Sequence, residues 1–108
     1  MAQQKPFEAS DRVFHLAKGE LHADTDLYWE YLEEFESACQ ALLTSHNRKL
    51  VIDLTESNFI SSSFVGCLGD LLLNAARLKK RIVLRVTLDT SWLFTIMGGP
   101  KLLDLEVV

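Results

Sequence analysis

The residues that could do chemistry are concentrated between positions 50 and 66, where the chain reads LVIDLTESNFISSSFVG. Three consecutive serines, Ser61, Ser62 and Ser63, stand where an apolar strand-like run has ended and a helical pattern begins. A hydroxyl at a helix start can cap the free backbone N–H groups, which contributes about 1 kcal/mol. A helix start also favours negative charge, so a serine there could instead carry a phosphate. Both interpretations place the serines in a turn at the protein surface.

Catalysis would need converging polar groups, such as a nucleophile with a base or a pair of carboxylates. Asp53, Glu56 and Ser62 form the one cluster of this kind in the segment, which contains neither histidine nor lysine. Acyl-transfer chemistry is therefore poorly supported. The sequence predicts a protein without catalytic residues, so it is not expected to be an enzyme.

The cysteines and histidines do not suggest a metal or cofactor site. Cys39 and Cys67 lie in apolar stretches without CxxC spacing, and none of the histidines stands at a ligand spacing from them. Two buried free thiols in a reducing compartment are the expected arrangement. We expect no bound metal and no cofactor.

The totals describe an ordinary globular domain. The chain has 108 residues, of which 48% are hydrophobic and 24% charged, so residues 1–108 form a single domain that can build its own core. The first ten residues are polar and aperiodic and are expected to be flexible. The net charge of −4 argues against a nucleic-acid partner, since phosphate backbones select basic surfaces. Without a leader-like start or an apolar run of about 20 residues, the protein is expected to be cytoplasmic and not inserted in a membrane.

The spacing of apolar residues predicts the elements that carry the serine turn. Strands are expected over residues 12–17 and 20–23, joined by a Lys18-Gly19 turn, and over residues 50–54, 82–86 and 105–108. The strands at 50–54 and 82–86 are apolar enough to be buried on both faces of a sheet. Helices are expected from Leu27 to about Asn47, capped by Asp24, Thr25 or Asp26, then from Phe64 to Lys80, and from Thr90 to Met97, ended by Gly98-Gly99-Pro100.

The resulting order, β-β-α-β-α-β-α-β, is typical of an α/β domain with a mixed, mainly parallel sheet and helices packed on it. The opening hairpin supplies an antiparallel edge.

In this context, the segment from Leu50 to Leu68 resembles the signature of STAS domains. That signature is an apolar strand ending in Asp, a loop, then Phe-Ile-Asp-Ser-Ser-Gly-Leu-Gly and an apolar helix. Here the motif stands as Phe59-Ile60-Ser61-Ser62-Ser63-Phe64-Val65-Gly66. The similarity extends in order and spacing over nearly the whole chain. Two departures from it matter, because Ser61 replaces the usual Asp and Phe64 the usual Gly.

The resemblance implies a function by protein binding. STAS anti-sigma factor antagonists of partner-switching pathways bind an anti-sigma factor that is also a serine kinase of the histidine-kinase-like ATPase type. Phosphorylation of a serine at the start of the second helix breaks the complex, and Ser62 matches that serine by position. The expected contact patch comprises the preceding loop and the helix start, namely Asn58, Ser61, Ser62, Ser63 and Phe64, together with Trp92 on the short third helix.

A second function stays open. A structural role also stays open for Phe64 and Trp92, the two aromatic residues of the expected contact patch. Small STAS proteins also serve as accessory subunits of membrane lipid transporters, without phosphorylation, and the departures at Ser61 and Phe64 suit that role. Phe64 would be an anchor for the partner only if it points outward, and both Phe64 and Trp92 could equally fill the core.

Overall fold

The computed structural model describes residues 13–96 and 103–108. The strands are β1 (Phe14–Ala17), β2 (Glu20–Ala23), β3 (Lys49–Asp53), β4 (Arg81–Val86) and β5 (Leu103–Val107), and the helices are α1 (Leu32–Leu43), α2 (Ser62–Arg77) and α3 (Leu88–Ile96). This order confirms the predicted succession of elements and the α/β class, with boundaries that shift by a few residues. The expectations for residues 1–10, Arg12, Met97 and the Gly98-Gly99-Pro100 helix end fall outside the described residues.

The sheet has the order β1-β2-β3-β4-β5, with β1 antiparallel to β2 and the later neighbours parallel. Each parallel strand lies directly beside the one before it in the chain. Because such crossovers are right-handed, they place the connecting helices on the same face of the sheet. In agreement, α1 contacts β1 and β2, α2 contacts β4 and α1, and α3 contacts β5. Within residues 13–96 and 103–108, the helices thus cover one face of the sheet only, and we call the opposite face the open face.

The open face corrects the prediction that β4 is buried on both sides. Ile82, Leu84 and Val86 are buried, whereas the alternating residues Val83 and Arg85 are only partly covered. Polar residues on this face bond across the strands, as where Arg85 Nε donates to Glu106 Oε1 at 2.6 Å. The apolar composition of β4 was misleading because its helices pack on one side only. In β3, by contrast, three successive residues, 50–52, are buried as predicted.

The core under the helices is built around three phenylalanines. The ring centroid of Phe35 on α1 lies 5.5 Å from that of Phe14 on β1 and 5.0 Å from that of Phe64 on α2. Phe64 is 0% exposed and continues the buried face formed by Leu68, Leu71, Leu72 and Ala75. The inclusion of Phe64 in the partner-contact patch is therefore wrong. Phe64 is the third residue of α2, and its side chain turns toward the sheet on the same helix face as Leu68 and Leu71.

The start of α1 also differs from the prediction. Leu27 does not begin the helix but forms an isolated parallel bridge with Ile60. A short 3-10 turn, Trp29–Tyr31, comes first, and neither Tyr28 nor Tyr31 caps the helical segments with its side chain. The expected cap by Asp24, Thr25 or Asp26 is therefore wrong. Because the backbone N–H and C=O of Leu27 are bonded to Phe59 and Ser61, they are not available to a helix.

In the described part of the chain, no helix has both the length and the hydrophobicity needed to cross a bilayer.

Candidate functional site

The serine turn is the start of α2, and its three hydroxyls have different environments. Ser61 is the N-cap, with extended backbone angles (φ −64°, ψ 146°), and its Oγ accepts a 3.4 Å bond from the N–H of Ser63. The Oγ atoms of Ser61 and Ser63 are also 2.9 Å apart, and both residues are half-buried. Ser62, the first helical residue, is exposed. The capping interpretation thus holds for Ser61, while Ser62 remains at the surface for another role.

Two segments lie beside this turn and are joined by hydrogen bonds: the β2–α1 segment (residues 24–31) and the β3–α2 loop (residues 54–61). The N–H of Leu27 donates to the carbonyl of Phe59 at 2.7 Å, and the N–H of Ser61 donates to the carbonyl of Leu27 at 2.9 Å. The buried Ser57 hydroxyl adds a 2.7 Å bond to the Thr25 carbonyl. These bonds fix the loop that leads to Ser62 against a second segment distant in sequence.

Asp26 completes this connection. Its Oδ1 accepts the backbone N–H of Asn58 at 2.7 Å and that of Phe59 at 3.3 Å. A carboxylate that accepts two backbone N–H groups makes strong, charge-assisted hydrogen bonds. Asp26 therefore positions the loop in front of α2 instead of capping α1.

The joined segments expose aromatic side chains. The rings of Tyr28 and Phe59 stack with centroids 5.1 Å apart and an interplanar angle of 28°. Tyr28 is 45% exposed, Phe59 49% and Trp29 73%. We call Tyr28, Trp29 and Phe59 the aromatic patch. Aromatic residues are enriched in the centres of protein interfaces, so the aromatic patch is a candidate binding surface.

A comparison with protein families agrees with this geometry. The family model described as "Mlab, STAS domain" matches residues 11–97, which is well over half of the chain. The chain belongs to the STAS domain family. No curated protein is similar enough in sequence to add a relative to the comparison. Membership is consistent with modules of the anti-sigma factor antagonist kind, and STAS domains are in general binding modules rather than enzymes.

The structure explains how the chain accommodates Ser61 and Phe64, which both differ from the STAS motif. Asp and Ser are comparably good N-cap residues, so Ser61 keeps the capping role that the usual Asp would have. Phe64, where the motif has Gly, fills the core against Phe35. Neither change removes the exposed hydroxyl of Ser62.

Two other predicted contact residues are exposed as well. Asn58 lies in the β3–α2 loop, next to Phe59. Trp92 is 57% exposed and lies one helical turn after Leu88 on α3. Because α2 and α3 follow the neighbouring parallel strands β3 and β4, both helices begin at the same edge of the sheet, where α/β proteins commonly bind their ligands. Their participation in binding stays a prediction.

The carboxylates considered for catalysis have other partners. Burial raises the pKa of Asp53, but hydrogen bonds from the side chain and backbone of Thr55, with the charges of His22 and Arg85, bring the pKa below its ordinary value. The Thr55 bonds to Asp53 Oδ1 are 2.7 Å from Oγ and 3.0 Å from N–H. Glu56 Oε2 lies 3.7 Å from His22 Nε2. The structure thus groups these carboxylates with a histidine on β2.

Both cysteines are free thiols, as predicted, but the expectation that both are buried is wrong for Cys67. Cys39 on α1 is buried and Cys67 on α2 is half-buried, and the two thiols form a hydrogen bond across the helix pair. This bond raises the pKa of Cys39 together with its burial. It lowers the pKa of Cys67, because the Cys39 S–H donates to the Cys67 thiolate.

Sequence reasoning missed the aromatic patch, the approach of His22 to Asp53 and Glu56, and the approach of His15 to Asp24. The predicted helix from Leu27 includes Tyr28 and Trp29, whereas the structure places both residues before α1, with Trp29 in the 3-10 turn. A signal was present for the histidines, because a two-residue turn at Lys18-Gly19 puts His15 directly opposite His22.

Proposed function

We propose that this STAS domain is a regulatory module that binds another protein through Ser62, Asn58 and the aromatic patch. One observation carries the proposal: a stacked, exposed aromatic pair, Tyr28 and Phe59, is held by backbone hydrogen bonds next to the exposed serine at the start of α2. Rigid aromatic side chains contribute much of the binding energy in protein interfaces, since little conformational freedom is lost when they dock.

Ser62 is the proposed control point. Phosphorylation would add about −1.5 to −2 charges at neutral pH. The first turn of α2 carries no carboxylate, and its backbone N–H groups favour a negative charge, so the isolated domain would tolerate the phosphate. A partner that packs on a hydroxyl and aromatic rings would have to desolvate that phosphate. Modification would then release the partner without unfolding the domain.

The resemblance to anti-sigma factor antagonists suggests the partner's class. It would be an anti-sigma factor that is also a serine kinase of the histidine-kinase-like ATPase type, acting in a partner-switching pathway in the cytoplasm. The domain would bind this kinase, and the kinase would dissociate once it has phosphorylated Ser62.

The test is quantitative capture of the partner from the native cell by immobilised Ser62→Ala and Ser62→Asp variants. Ser37→Asp, at an exposed position in the middle of α1, controls for added negative charge. Ser62→Ala and Ser37→Asp should retain the partner, whereas Ser62→Asp should weaken binding at least about tenfold, which corresponds to 1.4 kcal/mol. Equal capture by the two Ser62 variants would contradict a charge switch at this residue.

A second candidate function is an accessory subunit of a membrane lipid transporter that needs no phosphorylation. The burial of Phe64 and the replacement of the usual Asp by Ser61 support it, since the contact surface then rests on aromatic residues that bind constitutively. Incubation with ATP and candidate kinases separates the two functions by mass spectrometry. Addition of one phosphoryl group at Ser62 supports the switch, while an unmodified protein that co-purifies with a membrane transporter supports the accessory role.

A further inference from the structure

We propose that His15, His22, Asp24 and Glu56 form a binding site for a divalent transition-metal ion of the zinc type on the open face of the sheet. The register of the β1–β2 hairpin pairs His15 with His22, and their ring centroids lie 6.3 Å apart. Both histidines project from the face that the helices leave open, since their strand neighbours Phe14 and Leu21 are buried in the core. The proposal does not depend on the docking function.

The distances between the ligand atoms suit a metal ion. His22 Nε2 lies 3.0 Å from Asp24 Oδ1 and 3.7 Å from Glu56 Oε2. One ligand atom from each of these three residues lies within 4.8 Å of the other two. Zinc bonds of about 2.0–2.1 Å in a tetrahedral site place the ligand atoms about 3.3 Å apart. The observed separations bracket that value, so small side-chain rotations are enough to bring the three ligands to one ion.

His15 lies beside this group of three and would have to rotate its side chain to become a fourth ligand. Its Nε2 lies 2.5 Å from Asp24 Oδ2, on the other oxygen of the carboxylate that His22 approaches. Two imidazoles with two carboxylates suit zinc, copper or nickel better than magnesium or calcium, which prefer oxygen ligands alone.

Asp53 lies on the opposite side of His22 from the cluster, slightly beyond hydrogen-bond distance, so a small rotation of His22 would let it accept the second N–H of the ring. Its Oδ2 is 3.6 Å from His22 Nδ1, the ring nitrogen opposite the one that faces the cluster. The other oxygen of Asp53 is held by the two bonds from Thr55. Metal-binding histidines commonly donate their second N–H to such a carboxylate, which fixes the tautomer and the ring orientation.

Binding of the ion would connect two parts of the chain. His15, His22 and Asp24 come from the hairpin and the residue after it, whereas Glu56 belongs to the β3–α2 loop. The ion would therefore restrain the loop that presents Asn58.

The test is zinc titration of the tag-free chain in competition with a chromophoric chelator, using His22→Asn and Asp53→Asn. His46→Asn is the matched control, because His46 is an exposed histidine in the loop between α1 and β3. We expect a single zinc ion per chain, at least 100-fold weaker binding by His22→Asn, and unchanged binding by His46→Asn. Loss of the outer carboxylate in Asp53→Asn should weaken binding by about 10–100-fold.

NMR of the imidazole nitrogens gives a second readout. Zinc should shift the resonances of His15 and His22 and leave those of His46 in place, and magnesium at the same concentration should shift none of them. The proposal is overturned if His22→Asn binds zinc as tightly as the parent chain while both show the same circular dichroism. It is equally overturned if zinc binding is lost on alkylation of Cys39 and Cys67 and not on substitution of the histidines.

Discussion

Replacement of Phe64 by alanine tests whether this residue belongs to the core or to the binding surface. Phe64 is 0% exposed, and its ring lies 5.0 Å from that of Phe35. Truncation of a buried phenylalanine to alanine costs about 3–5 kcal/mol, from lost burial and the cavity left behind. A domain of this size is stable by about 5–15 kcal/mol, so Phe64→Ala should remain folded or lie close to the limit.

Urea unfolding followed by far-UV circular dichroism measures this loss. With a urea slope of about 1.5–2 kcal/mol/M, a loss of about 4 kcal/mol lowers the unfolding midpoint by roughly 2 M. Phe59→Ala is the matched control, because it removes the same side chain from the half-exposed aromatic patch. Its cost should not exceed about 1.5 kcal/mol, mainly from the stacking with Tyr28.

The reasoning would be refuted if Phe64→Ala unfolded at the same urea concentration as Phe59→Ala. That result, combined with loss of partner capture by Phe64→Ala, would show that Phe64 points outward as an anchor. Should Phe64→Ala not fold, Phe64→Leu retains most of the buried volume. It should still show a lowered midpoint with normal capture.

Three further predictions concern charged and thiol groups. Asp26→Ala removes two hydrogen bonds to the β3–α2 loop and should destabilise the protein by about 2 kcal/mol. The amide hydrogen of Asn58 should then exchange faster, and unchanged exchange would contradict the role of Asp26 in holding the loop. Because the pKa of Asp53 is lowered, its ionised form stabilises the fold above about pH 4, the unfolded value, and this contribution disappears as the pH falls through the folded pKa. In EDTA, Asp53→Asn should therefore be less stable than the parent chain in urea unfolding at pH 7, and this difference should shrink as the pH falls below about 4. Finally, Cys67 should react with iodoacetamide at a lower pH than Cys39, because the pKa of Cys67 is lowered and its side chain is only half-buried. Peptide mass spectrometry measures the two rates. Equal rates would contradict the assigned direction of the hydrogen bond between the thiols.

The elements that the sequence predicts best are those with a strong apolar period. The helix carrying Leu68, Leu71 and Leu72 and the strand at 50–54 needed no tertiary information, because their burial follows from spacing alone. The exposure of Ser62 and the capping of α2 by a serine also follow from the local pattern.

The rest depends on contacts between distant segments. Leu27 continues the apolar period of α1, yet its backbone bonds to Phe59 and Ser61, more than thirty residues away. That pairing pulls Tyr28 and Trp29 out of the α-helix and creates the aromatic patch. Similarly, the apolar run of β4 does not reveal that helices cover one side of the sheet only, which is decided by the handedness of the crossovers.

The cluster around His15 and His22 could be predicted from the sequence only in part. The turn at Lys18-Gly19 was sufficient to pair His15 with His22, because a two-residue turn fixes the register of a hairpin. The approach of Glu56 requires the parallel pairing of β2 with β3, which puts His22 opposite Asp53. Residue spacing along the chain carries no information about that pairing.

The central claim, that the aromatic patch and the start of α2 form the docking surface, is tested most directly by amide hydrogen exchange of the chain alone and bound to its captured partner. We predict that the partner adds protection within residues 24–31 and 54–63 and leaves the exchange of the open sheet face, including Arg85, unchanged. Protection confined to the open face or to the groove between α1 and α2, which is lined by Glu36, Cys67 and Asp70, would contradict the account if residues 24–31 and 54–63 were unaffected.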